Sequence, residues 1–138
     1  MIGLDTNVPA RYFVAEDGAE AAPKRQRQAA RTLIESGQPL FLPKTVALEL
    51  KWVLRGYYGF SADQVLLVFE HLLSRPTINA EDRPVLEQTA TGLRAGLDFA
   101  DALHHSSCPK CEAVASFDDR GFGRRIHHLN VAPRVFAP

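Results

Sequence analysis

The sequence has no apolar run long enough to cross a bilayer, so no membrane span is expected. No basic segment followed by an apolar core opens it, so no secretory leader is expected either. It has only two cysteines, Cys108 and Cys111, too close in sequence to build a disulfide framework. Together these absences predict a protein of the reducing cytoplasm. Charge of one sign is also missing: 16 basic residues balance 16 acidic ones. The global balance therefore argues neither for nor against nucleic acid, and any phosphate-binding surface must come from local clustering. There is no internal repeat, low-complexity tract or linker, so the 138 residues are expected to form a single domain, residues 1–138. What is present, 46% hydrophobic against 23% charged residues, is enough for a real core.

Short strands alternate with helical segments. Residues 1–5 suit a first, buried strand, and Asp5, Thr6 and Asn7 can each cap a helix that follows. Pro9 falls in that helix's first turn, where it is tolerated. Residues 15–19 read as a loop and 20–36 as a helix, with Pro23 near its start and Gly37 just past its end. Lys24, Arg25, Arg27 and Arg31 make this helix basic, as a solvated face would be. Leu40–Leu42 is a short buried strand, and Pro43 then starts a helix to about Tyr57. Ser61-Ala62-Asp63-Gln64 matches a capping box for a helix to about Leu73. Residues 77–79 suit a brief strand. Asp82 is placed to cap a helix to about Ala95, and Asp98 another. Residues 113–117 read as a strand ending at Asp118, and 121–128 as a short basic helix or turn. Val131–Phe136 supplies a last edge strand, limited by Pro133. The alternation predicts an α/β fold with a short, mainly parallel sheet covered on both faces.

Four acids fall where such a fold places ligands. Asp5 and Asp118 each end an apolar strand, and open α/β sheets bind ligands beyond the carboxyl ends of their strands. Glu49 lies on the flank of a stripe formed by Val46, Leu50, Val53, Leu54 and Tyr57. Asp101 follows the cap Asp98 in the first turn, pointing away from a packing face of Phe99, Ala102, Leu103 and Ser106. Each acid also has a structural reading, as a cap, a dipole partner or half of an ion pair. Converging carboxylates repel, and a hard divalent cation removes that repulsion. Mg²⁺ and Mn²⁺ favour oxygen ligands, and such ions support phosphodiester hydrolysis. The pattern therefore suggests metal-dependent cleavage of phosphodiesters.

Leu4-Asp5-Thr6-Asn7, Leu48-Glu49-Leu50, Asp98-Phe99-Ala100-Asp101-Ala102-Leu103 and Ser116-Phe117-Asp118 together resemble the four acidic motifs of PIN-domain ribonucleases. Trp52-Val53-Leu54 adds a resemblance to the VapC-type toxins of bacterial toxin–antitoxin pairs. The resemblance implies a three-layer α/β/α sandwich around a short parallel sheet, with β1 at its centre. It implies an Mg²⁺- or Mn²⁺-dependent endoribonuclease, a homodimer, and a cognate antitoxin protein covering the site. It assigns Asp5, Glu49, Asp101 and Asp118 to the acidic quartet, with Asp5, Asp101 and Asp118 on the metal and Asp98 as an auxiliary acid. Thr6, Asn7 and Ser116 correspond to residues that brace the ligands through hydrogen bonds. Asp119 competes with Asp118 for the last position, and Asp118 is preferred because it ends the strand.

Arg120, Arg124 and Arg125 follow the last acid closely and suit either RNA phosphates or a solvated turn. His104, Cys108 and Cys111 have spacing that a zinc site uses, but a fourth ligand is missing, and thiols at a helix end are the preferred reading. Two other functions compete with the nuclease reading. A catalytically silent PIN-like module would bind RNA or protein without cleaving. A receiver-like phosphoacceptor domain also clusters acids, but it needs a central Asp and a late lysine that this sequence does not supply.

Overall fold

The computed structural model describes residues 1–14 and 24–138. The loop expected at 15–19 and the helix start expected at 20–23, with Pro23, lie outside the described residues. Among these residues are seven α-helices, one π-helical turn and five short strands, all of whose pairings are parallel. No described helix is long and apolar enough to cross a membrane. The chain divides into two compact units, Met1–Arg83 and Pro84–Pro138.

The first unit is a three-stranded parallel sheet with its helical crossovers. β1 (Ile2–Gly3) leads to α1 (Asn7–Phe13) and α2 (Lys24–Ile34). β2 (Leu40–Leu42) is followed by α3 (Lys44–Gly56) and α4 (Ala62–Ser74), and β3 (Ile78–Ala80) closes the sheet. The strand order is β1-β2-β3, with Ile2 opposite Leu40 and Leu40 opposite Ile78. This corrects the expected position of β1. The middle strand is β2, whose Leu40 and Leu42 are fully buried, while β1 pairs with β2 alone and Ile2 is 42% exposed. Of the expected buried strand, Leu4 is the residue that reaches the core.

Local chemistry explains the helix limits here. Ser61 and Gln64 form the expected capping box: Gln64 N–H donates to Ser61 Oγ at 3.1 Å and Ser61 N–H to Gln64 Oε1 at 2.8 Å. Helix α3 buries Val46, Ala47, Leu50 and Leu54 at a helical spacing. Tyr57 leaves that stripe because α3 ends at Gly56, and it is 70% exposed. Asp82 does not behave as a simple cap. Its φ is +45°, and its carboxylate accepts from Lys44 Nζ. The first amide of α3, Lys44 N–H, donates to Glu81 Oε2 at 2.8 Å, so an acid after β3 satisfies the helix after β2. Arg83 closes the unit, donating to the carbonyls of Leu73 at 2.7 Å and Ile78 at 2.6 Å.

The second unit holds α5 from residue 84 onward (the helix spans Arg83–Arg94), α6 (Phe99–Ser106), β4 (Ala113–Ala115), a π-helical turn (Asp119–Gly123), α7 (Arg124–Leu129) and β5 (Arg134–Phe136). β4 pairs with β5, with Val114 opposite Val135. The described strands therefore pair as two small sheets rather than as one. β5 begins directly after Pro133, at the end of a cis Ala132–Pro133 bond, because proline has no amide to give a ladder. Leu97, Ala102, Phe122 and Ile126 form this unit's core, with Val114, Leu129 and Val135 against it. Gly92 lets α5 approach α6: a Cβ there would lie 2.9 Å from the Ala102 Cβ. Buried His105 ties α6 to the chain before β5, its Nε2–H donating to the Pro133 carbonyl at 2.7 Å.

Candidate acidic site

Asp5 follows β1 at the carboxyl edge of the first unit's sheet. Its carboxylate is held locally, with Thr6 N–H donating to Oδ1 at 2.8 Å and the Asn7 side-chain amide approaching Oδ2 at 3.5 Å. Thr6 and Asn7 thus brace Asp5, but Thr6 does so through its backbone. The Thr6 hydroxyl caps nothing: it is buried and has no hydrogen-bond partner among the described residues. Glu49 is on the exposed flank of α3, beside exposed Trp52, and takes no part in the Arg31–Glu35 or Lys44–Asp82 ion pair. The same sheet edge carries Lys44, Glu81 and Asp82. Their pairing went unforeseen because the partners are 37 and 38 residues apart.

The second unit carries Asp98, Asp101 and Asp118. Asp98 is the N-cap of α6, its Oδ2 accepting from Ala100 N–H at 3.0 Å and Asp101 N–H at 3.4 Å. This fixes the first turn, from which Asp101 projects. Phe99, Ala102, Leu103 and Ser106 are buried as expected, and Asp101 is only half-buried, off that packing face. Its carboxyl titrates above the ordinary aspartate range. Burial is the largest cause, followed by the charges of Asp98 and Asp118, and His104 and Arg125 partly oppose them. Asp101 therefore lies within the field of two further acids.

Asp118 is placed by a different device. The strand stops at Ala115, earlier than expected, and Phe117 is 84% exposed. Ser116 turns the chain, its Oγ accepting Asp118 N–H at 3.1 Å. The Asp118 carboxylate then caps the π-helical turn, taking Gly121 N–H at 2.9 Å and Phe122 N–H at 3.2 Å. So Asp118 does not end the strand directly. Its charge acts on Asp101. Ser116 braces Asp118 through the backbone rather than through the carboxylate.

Arg125 is held in place, its guanidinium donating to the Gly96 carbonyl, while Arg120 and Arg124 are exposed on the π-helical turn and the start of α7. A cavity of about 400 Å³ in this unit, walled by Gly92, Leu97, His105, Ser106 and Leu129, includes none of the acids. Among the described residues no three acid, imidazole or thiol groups are gathered into a ready cation cage. The capping roles account for this in part: Asp98 Oδ2 and both Asp118 oxygens point at backbone amides. A carboxylate oxygen retains a second lone pair after such a bond, so the donor set of Asp98, Asp101 and Asp118 suits a hard divalent cation in chemistry. No family model matches the chain, and no curated protein or solved structure is found similar to it.

Proposed function

We propose that the chain is an Mg²⁺- or Mn²⁺-dependent endoribonuclease of the PIN-domain type, acting as the toxin of a toxin–antitoxin pair. One observation carries the reading. Asp101 is half-buried on the first turn that Asp98 caps, and its carboxyl is pushed up first by that burial and then by the charges of Asp98 and Asp118. Like charges so placed repel, and a divalent cation bound there would offset that repulsion and activate water for attack on phosphorus.

Within this proposal Asp101 and Asp118 hold the cation, with Asp98 auxiliary. Asp5 is assigned as a further ligand and Glu49 as the residue that orients the attacking water, on the resemblance of their sequence contexts. Asn7 and the Thr6 amide hold Asp5, and Ser116 sets the turn that presents Asp118. Arg120 and Arg124 bind RNA phosphates, and Arg125 sits beside the acids. A homodimer, an antitoxin protein, a cytoplasmic setting and a single PIN-like sandwich belong to the same proposal.

The test is cleavage of total RNA by purified protein with Mn²⁺, with and without chelator, beside Asp101→Asn. Cleavage that needs the cation and disappears in the variant supports the reading. Chelator-insensitive cleavage, or equal cleavage by the variant, would overturn it. Absence of cleavage with retained RNA or protein binding would favour a silent binding module.

A further inference from the structure

Helix α6 carries Asp98 and Asp101 at its N-terminal end. At its other end the chain passes through Ser107 into Cys108-Pro109-Lys110-Cys111 and then into β4, which leads to Asp118. These four residues form a β-turn, closed by Cys111 N–H donating to the Cys108 carbonyl at 3.1 Å. Pro109 occupies the turn's second position, where its fixed φ preorganises the bend. A turn of this kind keeps its first and last Cα atoms within about 7 Å, and a disulfide needs about 4.4–6.8 Å. Cys111 is exposed, and Cys108 is half-buried behind it.

We propose that Cys108 and Cys111 are a redox-active dithiol that closes to an intramolecular disulfide on reaction with a small-molecule disulfide. The exposed Cys111 thiolate attacks one sulfur of the oxidant, forming a mixed disulfide and releasing one thiol. The Cys108 thiolate then attacks the Cys111 sulfur, forming the internal bond and releasing the second thiol. Two protein thiols are oxidised, one disulfide is reduced to two thiols, and the protons of Cys108 and Cys111 pass to the released thiolates. Cys111 makes the first attack because it is the exposed thiol, whereas burial raises the Cys108 thiol above its ordinary range, so Cys108 gives up its proton only in the second step. Preorganisation by the turn makes the second step intramolecular and fast. Closure clamps the connection between the elements that carry Asp101 and Asp118.

The experiment titrates the full chain with oxidised glutathione in a glutathione buffer, followed by thiol alkylation and intact-mass measurement. The expected product is a monomer lacking both alkylatable thiols, lighter than the reduced protein by two hydrogens and free of glutathione. Cys108→Ser should instead accumulate one glutathione adduct, and Cys111→Ser should react more slowly. Three outcomes would overturn the proposal: a stable glutathione adduct on the native sequence, cross-linked dimers as the main product, or thiols protected by one equivalent of bound zinc that only a chelator removes.

Discussion

The Asp118 carboxylate occupies the space that a side chain on residue 121 would need. A Cβ built on Gly121 would lie 2.8 Å from each of the two Asp118 oxygens. The amide of the same glycine donates to one of those oxygens. Residue 121 thus holds the acid through its backbone and makes room for it by lacking a side chain.

Gly121→Ala should therefore expel the carboxylate and break its bonds to Gly121 and Phe122. The expected loss of stability is on the order of 1 kcal/mol, the size of a lost cap, measured by urea unfolding. RNA cleavage should fall well beyond what that loss explains. A variant as stable and as active as the parent would show that the tight fit is not needed.

Asp101 carries a stability prediction with a definite sign. Its folded-state carboxyl holds a proton more tightly than the unfolded one, because of burial and the Asp98 and Asp118 charges. Its favourable contribution is thus full below the unfolded value and is lost as pH rises through the folded value. At neutral pH, in chelator, Asp101→Asn should unfold at a higher temperature than the parent. The gap should close in acid, as the parent carboxyl protonates. Calorimetry across pH 4–8 (roughly the range bracketing the ordinary aspartate value upward) checks this. An Asn variant less stable at neutral pH would contradict it.

Adding Mn²⁺ should reverse that order. A cation that binds the folded state a hundredfold above its dissociation constant adds about 2.7 kcal/mol. The parent should gain this stability, and Asp101→Asn should gain much less. Melting curves with graded Mn²⁺ read it without any activity assay, and equal gains in both proteins would place the cation elsewhere.

Gly92→Ala sets two effects against each other. Alanine is favoured over glycine within a helix by about 1 kcal/mol. The new Cβ would meet the Ala102 Cβ at 2.9 Å and Leu97 Cδ1 at 3.1 Å. Leu97 can rotate away, but the Ala102 Cβ moves only with its backbone. Overpacking costs about 1–3 kcal/mol, so the net result should be destabilising, read as a lower urea midpoint. By comparison, Ser61→Ala on α4 should simply cost about 1 kcal/mol, since it removes one side of an exposed capping box.

Features set by near neighbours were legible in the sequence. The Ser61–Gln64 box, the Asp98 cap and the packing face of α6 all involve groups within a few residues of one another. Strand pairing was not legible to the same degree. The run Ala113–Phe117 is apolar but for Ser116, whose hydroxyl accepts the Asp118 amide as the chain turns after Ala115 and leaves Phe117 in solvent. The place of β1 at one side of its sheet depends on β2 having a partner on each edge, which no local pattern records. At the acids, their identity was readable, but the means of holding them was not. Gly121 gave one usable signal: a glycine three residues after an acid, where the acid must meet a bare backbone.

The caps at Asp98 and Asp118 have one more consequence. A helix cap needs an acceptor oxygen, and serine or asparagine supplies it about as well as aspartate. At Asp98 one oxygen, Oδ2, takes both amides, so asparagine would keep that cap without the charge; Asp118 uses both of its oxygens, and Asp101 caps nothing. The negative charges of Asp98 and Asp101 are thus not what forms the cap of α6. Asp98→Asn should therefore fold with its cap kept and one negative charge removed, a structurally matched control for the proposed cation site.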